Sequence, residues 1–500
     1  MDLRLVPAAL MSWAATAAGI TWGVGPTVAV ICAGAGAGWE VAARLLGDRQ
    51  PVLRAARIGV LGVALVGCAF GVTAGLRSDA VDHHPITHRF GATAWVTVIP
   101  GDGPRMVGSG RVMFRGDLAR VGDDDMTGAV TVFATGPDFG RLIPGQPARF
   151  RARVSGPSRH DLTVAVLAAT GRPTVGSAPG VQRVARSLRD GFAATGAAVL
   201  PADQAAMLPG LVLGDTSAVP AATIAEFRAG GLTHLMAVSG ANVSIVCGAL
   251  LLSARLIGPR AAVILAALGL AAFVIVVQPG ASVLRAAIMA AIGLLAVLSS
   301  RRRQAVPALA ATVIALMMVM PQLAVDAGFA LSVSATAALV VLAPIWSQRL
   351  VARGWPKPAA DALCIALAAQ WATAPLIAAI SGRFSLVAVI ANLVVAPVIP
   401  PITLLGTAAA TLAPLWPAAA DLLIRFTGPE LWWLLRVAHL AAALPGAVVT
   451  VPDGWAGLGV VTCCGLVAVL LWPRRWFRQA AAGAVLVALA WSVSALVGGP

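Results

Sequence analysis

Charge is scarce in this sequence. Only 11% of its 500 residues are Asp, Glu, Lys or Arg, against roughly 25% in a soluble globular domain, and 59% are apolar. That balance excludes a soluble single-core protein and indicates a polytopic membrane protein. Lysine is almost missing: Lys357 stands alone, so nearly all of the net charge of +15 is arginine. No lysine follows Gly210-Leu-Val-Leu-Gly214, where Asp215 and Thr216 stand instead, so the segment is no P-loop. No Gly-x-Gly-x-x-Gly turn follows a strand, and Ala237-Val-Ser-Gly240 lacks the Gly-x-Ser-x-Gly nucleophile elbow. The six cysteines lie in or beside apolar segments and form no Cys-x-x-Cys pair, which excludes a zinc knuckle or a disulfide framework. His83, His84 and His88 form a His-rich tract with no supporting carboxylate and cysteine set. No catalytic residue, cofactor or metal site is therefore assigned.

What is present is a succession of apolar runs interrupted once by a polar domain. Val6 to Trp22 and Pro26 to Val41 read as a helical hairpin turned by Gly23-Val-Gly-Pro26, and Ile58 to Leu76 as a third span. The apolar run after Arg4 reads as a retained anchor. Arg44, Arg49, Arg54 and Arg57 place the loop before the third span in the cytoplasm, and the residues beyond Leu76 outside. Residues 77–177 carry five short β-branched and aromatic runs: Thr93 to Ile99, Arg111 to Arg115, Ala129 to Phe133, Ala148 to Val154 and Leu162 to Leu167. They fit a small OB-like barrel among several all-β options. Arg149, Arg151 and Arg153 alternate with apolar residues and should share one strand face, which would suit either a phosphate backbone or an ordinary solvated surface.

Residues 178–231 include Val181, Val184, Ala185, Leu188 and Phe192 at helical spacing, an amphipathic stripe suited to the membrane surface. Beyond it lie about ten further apolar segments, from Leu235 to Leu256 through to Ala480 to Val497. Arg255 and Arg260, Arg301 to Arg303, Arg349 to Lys357, Arg425, and Arg474 to Arg478 then fall on the cytoplasmic side; Arg383 and Arg436 do not fit the scheme. The expected fold is a mostly α, polytopic membrane protein of about thirteen helices with one inserted extracytoplasmic barrel. Residues 1–76 form its first helices, 232–446 its main membrane domain and 447–500 its last helices. Leu386 to Leu412 contains Asn392, Pro397, Pro400 and Pro401 and reads as a broken or re-entrant helix.

His234, Ser239 and Asn242 open the span expected at Leu235 to Leu256, with His234 and Asn242 two helical turns apart on one face. Such groups either glue helices together or line an internal path. Asp215, Arg228, Arg285 and Asp326, near the outer ends of spans, favour a polar vestibule: the arginines attract anions and the carboxylates pair with them.

The run Phe227-Arg-Ala-Gly-Gly-Leu-Thr-His-Leu-Met-Ala-Val-Ser-Gly240 resembles the signature of the ComEC competence protein family, whose members carry single-stranded DNA across the bacterial inner membrane. Leu211-Val-Leu-Gly-Asp-Thr-Ser217, Ser282-Val-Leu-Arg-Ala-Ala286, Asp326-Ala-Gly-Phe-Ala-Leu-Ser332 and Asn392-Leu393 with Pro397 resemble other family segments in the same order. The resemblance covers about Arg183 to Leu412. It departs at Asn242, where the family often has histidine, at Ala330, where it has glutamine, and in lacking the histidine cluster of the nuclease domain that many members carry. The resemblance implies a DNA-conducting channel in the bacterial cell membrane. Asp215, Arg228, His234, Ser239, Asn242, Arg285, Asp326 and Asn392 would form its path or gate, and Arg149, Arg151 and Arg153 would meet the strand. The partners implied are single-stranded DNA, the lipid bilayer, a DNA-receptor protein, a separate nuclease, and a cytoplasmic motor or strand-binding protein. Two readings stay open beside it: a secondary transporter of a small anion, for which broken helices look much the same, and a membrane scaffold without a substrate.

Overall fold

The computed structural model describes residues 2–46, 51–107, 110–253, 257–278, 280–298, 304–471 and the isolated positions 474, 475, 479 and 483. Apart from Gly483, the span expected at Ala480 to Val497 lies outside them, as do Arg49, Arg255, Arg301, Arg302, Arg303 and Arg478. The chain divides into two compact units, Met1–Asp190 with Val246–Phe329, and Gly191–Ile245 with Ala330–Pro500.

The first unit begins with α1 (Val6–Trp22), α2 (Gly25–Leu46) and α3 (Pro51–Asp82). Helix α1 stops at Gly23, whose φ of 67° is the left-handed conformation in which helices commonly end. Helix α3 runs past the expected end at Leu76 to Asp82, and the chain then turns through a short 3-10 segment, Pro85–Arg89. His84 starts that turn: its Nδ1 accepts the Ile86 N–H at 3.2 Å.

The polar domain is a closed barrel built from β1 (Thr93–Pro100), the two-residue β2 (Arg105–Met106), β3 (Arg111–Val121), β4 (Asp124–Thr135), β5 (Ala148–Ser155) and β6 (Ala165–Val175), with the one-turn α4 (Pro137–Gly140) before β5. The order is β1-β5-β6-β4-β3, closed by pairing of β1 with β3, and only β4 and β6 run parallel. This is the five-stranded Greek-key barrel expected of the OB type. Four of the five apolar runs fall within a strand, while of Leu162 to Leu167 only Ala165 to Leu167 lies on β6; the strands extend beyond the runs, because ladder pairing carries on where the sequence turns polar. Strand β5 keeps the expected alternation: Phe150, Ala152 and Val154 are fully buried while Arg149, Arg151 and Arg153 are exposed on the outer face.

After the barrel come α5 (Gly180–Val199), α6 (Ala202–Leu213), α7 (Ala221–Ala229) and α8 (Gly240–Ser253). The amphipathic stripe expected on α5 is divided: Ala185 and Phe192 are buried, whereas Val181 and Val184 stay exposed. Helices α9 (Pro259–Val277), α10 (Ala281–Leu298) and α11 (Ala305–Val319) complete the first unit's membrane part. Next in the chain are α12 (Ala327–Val351), α13 (Lys357–Ser381), β7 (Arg383–Ser385), α14 (Ala388–Val395), α15 (Ile399–Leu412), α16 (Pro417–Phe426), α17 (Gly428–Ala443), β8 (Val448–Thr450) and α18 (Gly454–Leu471). Strands β7 and β8 pair antiparallel, which puts the loop after α13 and the loop before α18 side by side.

Among the described residues, seven helices are long and apolar enough to cross a membrane, and three shorter apolar helices, Gly240–Ser253, Ala281–Val297 and Ala305–Val319, accompany them. The chain is a multi-pass membrane protein. As expected, the stretch around Pro397 is broken: a 3-10 turn, Ala396–Val398, separates α14 from α15. Pro400 and Pro401 lack the N–H groups that would continue a regular ladder through this point.

Candidate functional site

The segment from His234 to Asn242 does not form the regular helix start expected of it. Helix α6 ends at Gly214, with φ 77°, and the turn closes through Gly214 N–H to Gly210 C=O (3.1 Å) and Asp215 N–H to Pro209 C=O (3.2 Å). Asp215 stabilises the next turn by accepting the Ser217 N–H at 3.0 Å. Helix α7 ends likewise, and Gly231 takes φ +69°. A Cβ at Gly231 would lie 2.4 Å from the Cβ of Ala388, so both the backbone conformation and the packing require glycine there. His234 then sits in the 3-10 turn Thr233–Leu235, and α8 begins only at Gly240. His234 and Asn242 therefore do not share a helix face. His234 and Arg228 are exposed.

Chain breaks of this kind leave helix-end carbonyls without partners, and inside a membrane those groups have no bulk water to turn to. Side chains meet the need. Asn242, 4% exposed, donates its Nδ2 to the carbonyl of Leu211 at 3.0 Å, and its Oδ1 accepts from Ser239 Oγ at 3.3 Å. Ser385 Oγ donates to the Ala229 carbonyl at 2.7 Å. Asn392 Nδ2 donates to Ala388 at 2.8 Å and to Gly231 at 3.4 Å. The signature run is thus tied at one end to α6 and at the other to the broken α14 region. Glu226 on α7 accepts from His439 Nδ1 of α17 at 2.9 Å, adding a tie the sequence did not suggest.

Leu211, Leu235, Ser239, Asn242, Ile399, Ile402 and Thr403 surround a small crevice with room for about one water molecule. Its wall comes from the end of α6, the start of α8 and the start of α15. Ser239 and Asn242 are the two predicted residues the fold brings together here, and Thr403, 2% exposed, is a polar wall residue that sequence reasoning missed. A lone threonine in an apolar helix carried no signal.

Arg285 and Asp326 belong to the other unit. Arg285 is 5% exposed and its Nη1 lies 3.3 Å from the Met289 sulfur one turn on. Asp326 finds an arginine that the sequence did not single out, Arg115 of strand β3, at 3.9 Å. Its other oxygen accepts the Phe329 N–H at 2.8 Å and so caps α12. Phe329 is fully buried, edge-on to Trp13 at 5.3 Å, and Trp13 Nε1 donates to the Ala324 carbonyl at 2.9 Å. The Asp326-Ala-Gly-Phe329 element is a junction of α1, the barrel and α12. A second barrel contact is Gly103 N–H to Gln278 Oε1, at 3.1 Å. Gln278 holds φ +73°, one of two non-glycine residues among those described with positive φ, and a Cβ at Gly103 would lie 2.7 Å from Gln278 Oε1.

The comparisons with known proteins bear on these same elements. The competence protein family model matches residues 211–476, from the end of α6 through both broken regions to beyond α18. ComE operon protein 3 of Bacillus subtilis (strain 168) is 28% identical over 201 residues, which is 40% of this chain and 25% of that protein. The similarity therefore spans about a quarter of that relative's length. No solved structure matches. With the family model extending over more than half of its length, the chain belongs to the competence protein family.

Proposed function

We propose that this protein serves DNA uptake, as the component that conducts single-stranded DNA through the bacterial cytoplasmic membrane. The observation that carries the proposal is the non-helical backbone of the family-matched region. At Gly231 to Ser239 the chain leaves α-helical geometry between otherwise apolar segments, at Ala396–Val398 it tightens into a 3-10 turn, and Asn242 and Ser385 cap carbonyls at the ends of α6 and α7. Irregular backbone at membrane depth is tolerated where it is buried in protein or lines a cavity, and discontinuous helices are how transporters build such cavities. The crevice beside Asn242 admits about one water, so it is read as a shut constriction rather than an open lumen.

In this reading the barrel is extracytoplasmic and receives the strand on Arg149, Arg151 and Arg153, while the arginine-rich loops face the cytoplasm. The contacts support one shared side: Gly103 and Arg115 of the barrel touch the α9–α10 loop and the start of α12, two segments the alternation places outside. Asp215, Arg228 and His234 flank the constriction along the chain, Arg285 adds a cation for the phosphates of the path, and Asp326 caps α12 beside the barrel. No nucleotide motif supplies energy, so a partner motor, the membrane potential or strand capture inside the cell would drive transport. A DNA receptor and a separate nuclease are the expected companions.

The size of the crevice favours one rival, a secondary transporter of a small anion. A strain lacking the gene, given back the parent or Asn242→Asp, separates them by uptake of labelled DNA against labelled organic anions. Undiminished DNA uptake in the deletion strain would sink the proposal.

A further inference from the structure

The crevice beside Asn242 is bordered by oxygens whose neighbouring hydrogens are already committed. Helix α6 ends there with a freed carbonyl: the Asp215 N–H, which would reach Leu211 C=O in a continuing helix, turns to Pro209 C=O at 3.2 Å. Asn242 Nδ2 gives the Leu211 carbonyl one partner, at 3.0 Å, and a carbonyl oxygen has a second lone pair. The Ser239 hydroxyl spends its hydrogen on Asn242 Oδ1 at 3.3 Å, which leaves both oxygens with unused lone pairs. Thr403 of α15 adds a buried hydroxyl that finds no hydrogen-bond partner among the described residues. The rest of the wall, Leu235, Ile399 and Ile402, is apolar, and no lining residue is charged.

Lone pairs gathered at such a point need a partner, because there is no bulk water at membrane depth to supply one. A water molecule offers two hydrogens to a set of four oxygens, whereas a cation satisfies each lone pair it reaches. Helix α6 favours the cation further, since a helix C-terminus carries the negative end of the dipole, equivalent to about half an elementary charge. Freed carbonyls at broken helices are also how discontinuous transporter helices hold sodium. With no carboxylate in the set, the crevice suits one positive charge rather than the two of a calcium or magnesium ion, which draw on carboxylates. We propose that Leu211, Ser239, Asn242 and Thr403 form a binding site for a single monovalent alkali cation, which fastens the end of α6 to the starts of α8 and α15. The inference rests on the reading of this crevice as a shut constriction and deepens it: the ion bridges the helix ends that must part for the constriction to open, so ion release and opening are linked.

The test uses the full chain in zwitterionic nanodiscs, with sodium chloride or potassium chloride exchanged for choline chloride at constant ionic strength, so that screening stays fixed. Retention of radioactive sodium, its displacement by potassium, and the thermal unfolding midpoint are read together. Sodium or potassium should bind saturably and raise the midpoint by a few degrees where choline does not, as a ligand of the folded state alone does. Thr403→Val, close in shape and lacking the hydroxyl, should weaken binding about tenfold or more, the loss of one contact to a charged group. Thr403→Ser should keep most of the affinity, and Thr411→Val, at an exposed position two turns further along α15, should bind as the parent does. If Thr403→Val loses its fold, Ser239→Ala carries the same expected weakening. A parent in which neither alkali cation does better than choline, or a Thr403→Val chain that responds as the parent does, overturns the site. So does magnesium bound more tightly than either. Each of these results leaves the conduction proposal standing, because that proposal fails only on DNA uptake by the deletion strain.

Discussion

The side-chain amide of Asn242 donates to the main-chain carbonyl of Leu211 across 3.0 Å, joining the first turn of α8 to the last turn of α6, thirty-one residues earlier. A residue that looked like the lining of a path is in the first place the cap of a broken helix, and the crevice lies beside it because two helix ends meet there.

Replacing Asn242 should therefore follow donor chemistry rather than polarity. Asn242→Ala leaves a buried carbonyl unsatisfied and should cost about 1–3 kcal/mol. Asn242→Asp should do at least as much damage, since an ionised carboxylate only accepts hydrogen bonds, while Asn242→His keeps a donor and should be milder. Thermal unfolding in detergent, read beside DNA uptake, ranks the three. A mild aspartate and a damaging histidine would contradict the capping role.

Gly231 offers a paired test. Gly231→Ala meets a left-handed backbone, worth about 1–2 kcal/mol, and overpacking against Ala388, worth about 1–3 kcal/mol. Ala388→Gly in the same chain should relieve the second part only. Complete rescue would place the whole effect in packing, and no rescue would place it in the backbone.

At Asp326 the cap and the ion pair separate cleanly. Asp326→Ala loses the Phe329 N–H bond and should cost about 1 kcal/mol, as helix caps do. Arg115→Ala removes only a long and partly exposed pair and should cost well under that. Hydrogen exchange at the start of α12 checks it: faster exchange in the aspartate variant than in the arginine variant is expected.

Asp102 makes the barrel's response to pH unusual. Burial pushes its carboxyl above the ordinary carboxylate range, against the pull of the Arg115 N–H, which it accepts at 2.8 Å, and of the Arg105 and Arg115 charges. Because the folded value lies above the unfolded one, the contribution of this group is fully present below the unfolded value. It is lost as pH rises through the folded value. Asp102→Asn keeps an acceptor for Arg115 and removes the titration. Exchange of β3 amides, corrected for intrinsic rates, should then rise less with pH between about 3 and 7 in the variant than in the parent, a window bracketing the unfolded value. Identical profiles would remove Asp102 from the account.

The sequence by itself determined the class of this protein and the place of its parts. Hydropathy marks the spans because an apolar run long enough to cross a bilayer has few other fates. The period-two alternation of Arg149, Phe150, Arg151, Ala152, Arg153 and Val154 fixes inside and outside on β5, because a strand has only two faces. The proline-rich break before α15 was equally plain, since a missing N–H acts locally. Only the tertiary structure decided where helices begin within apolar runs and whom the polar residues serve. Helical spacing put Asn242 on one face with His234; the 3-10 turn Thr233–Leu235 and the non-helical residues 236–239 come before α8, which starts only at Gly240, and Asn242 serves Leu211 instead. Asp326 likewise meets Arg115, more than two hundred residues earlier. A carbonyl stripped of its partner accepts whichever donor packing brings near, and which donor that is depends on contacts between segments far apart in the chain.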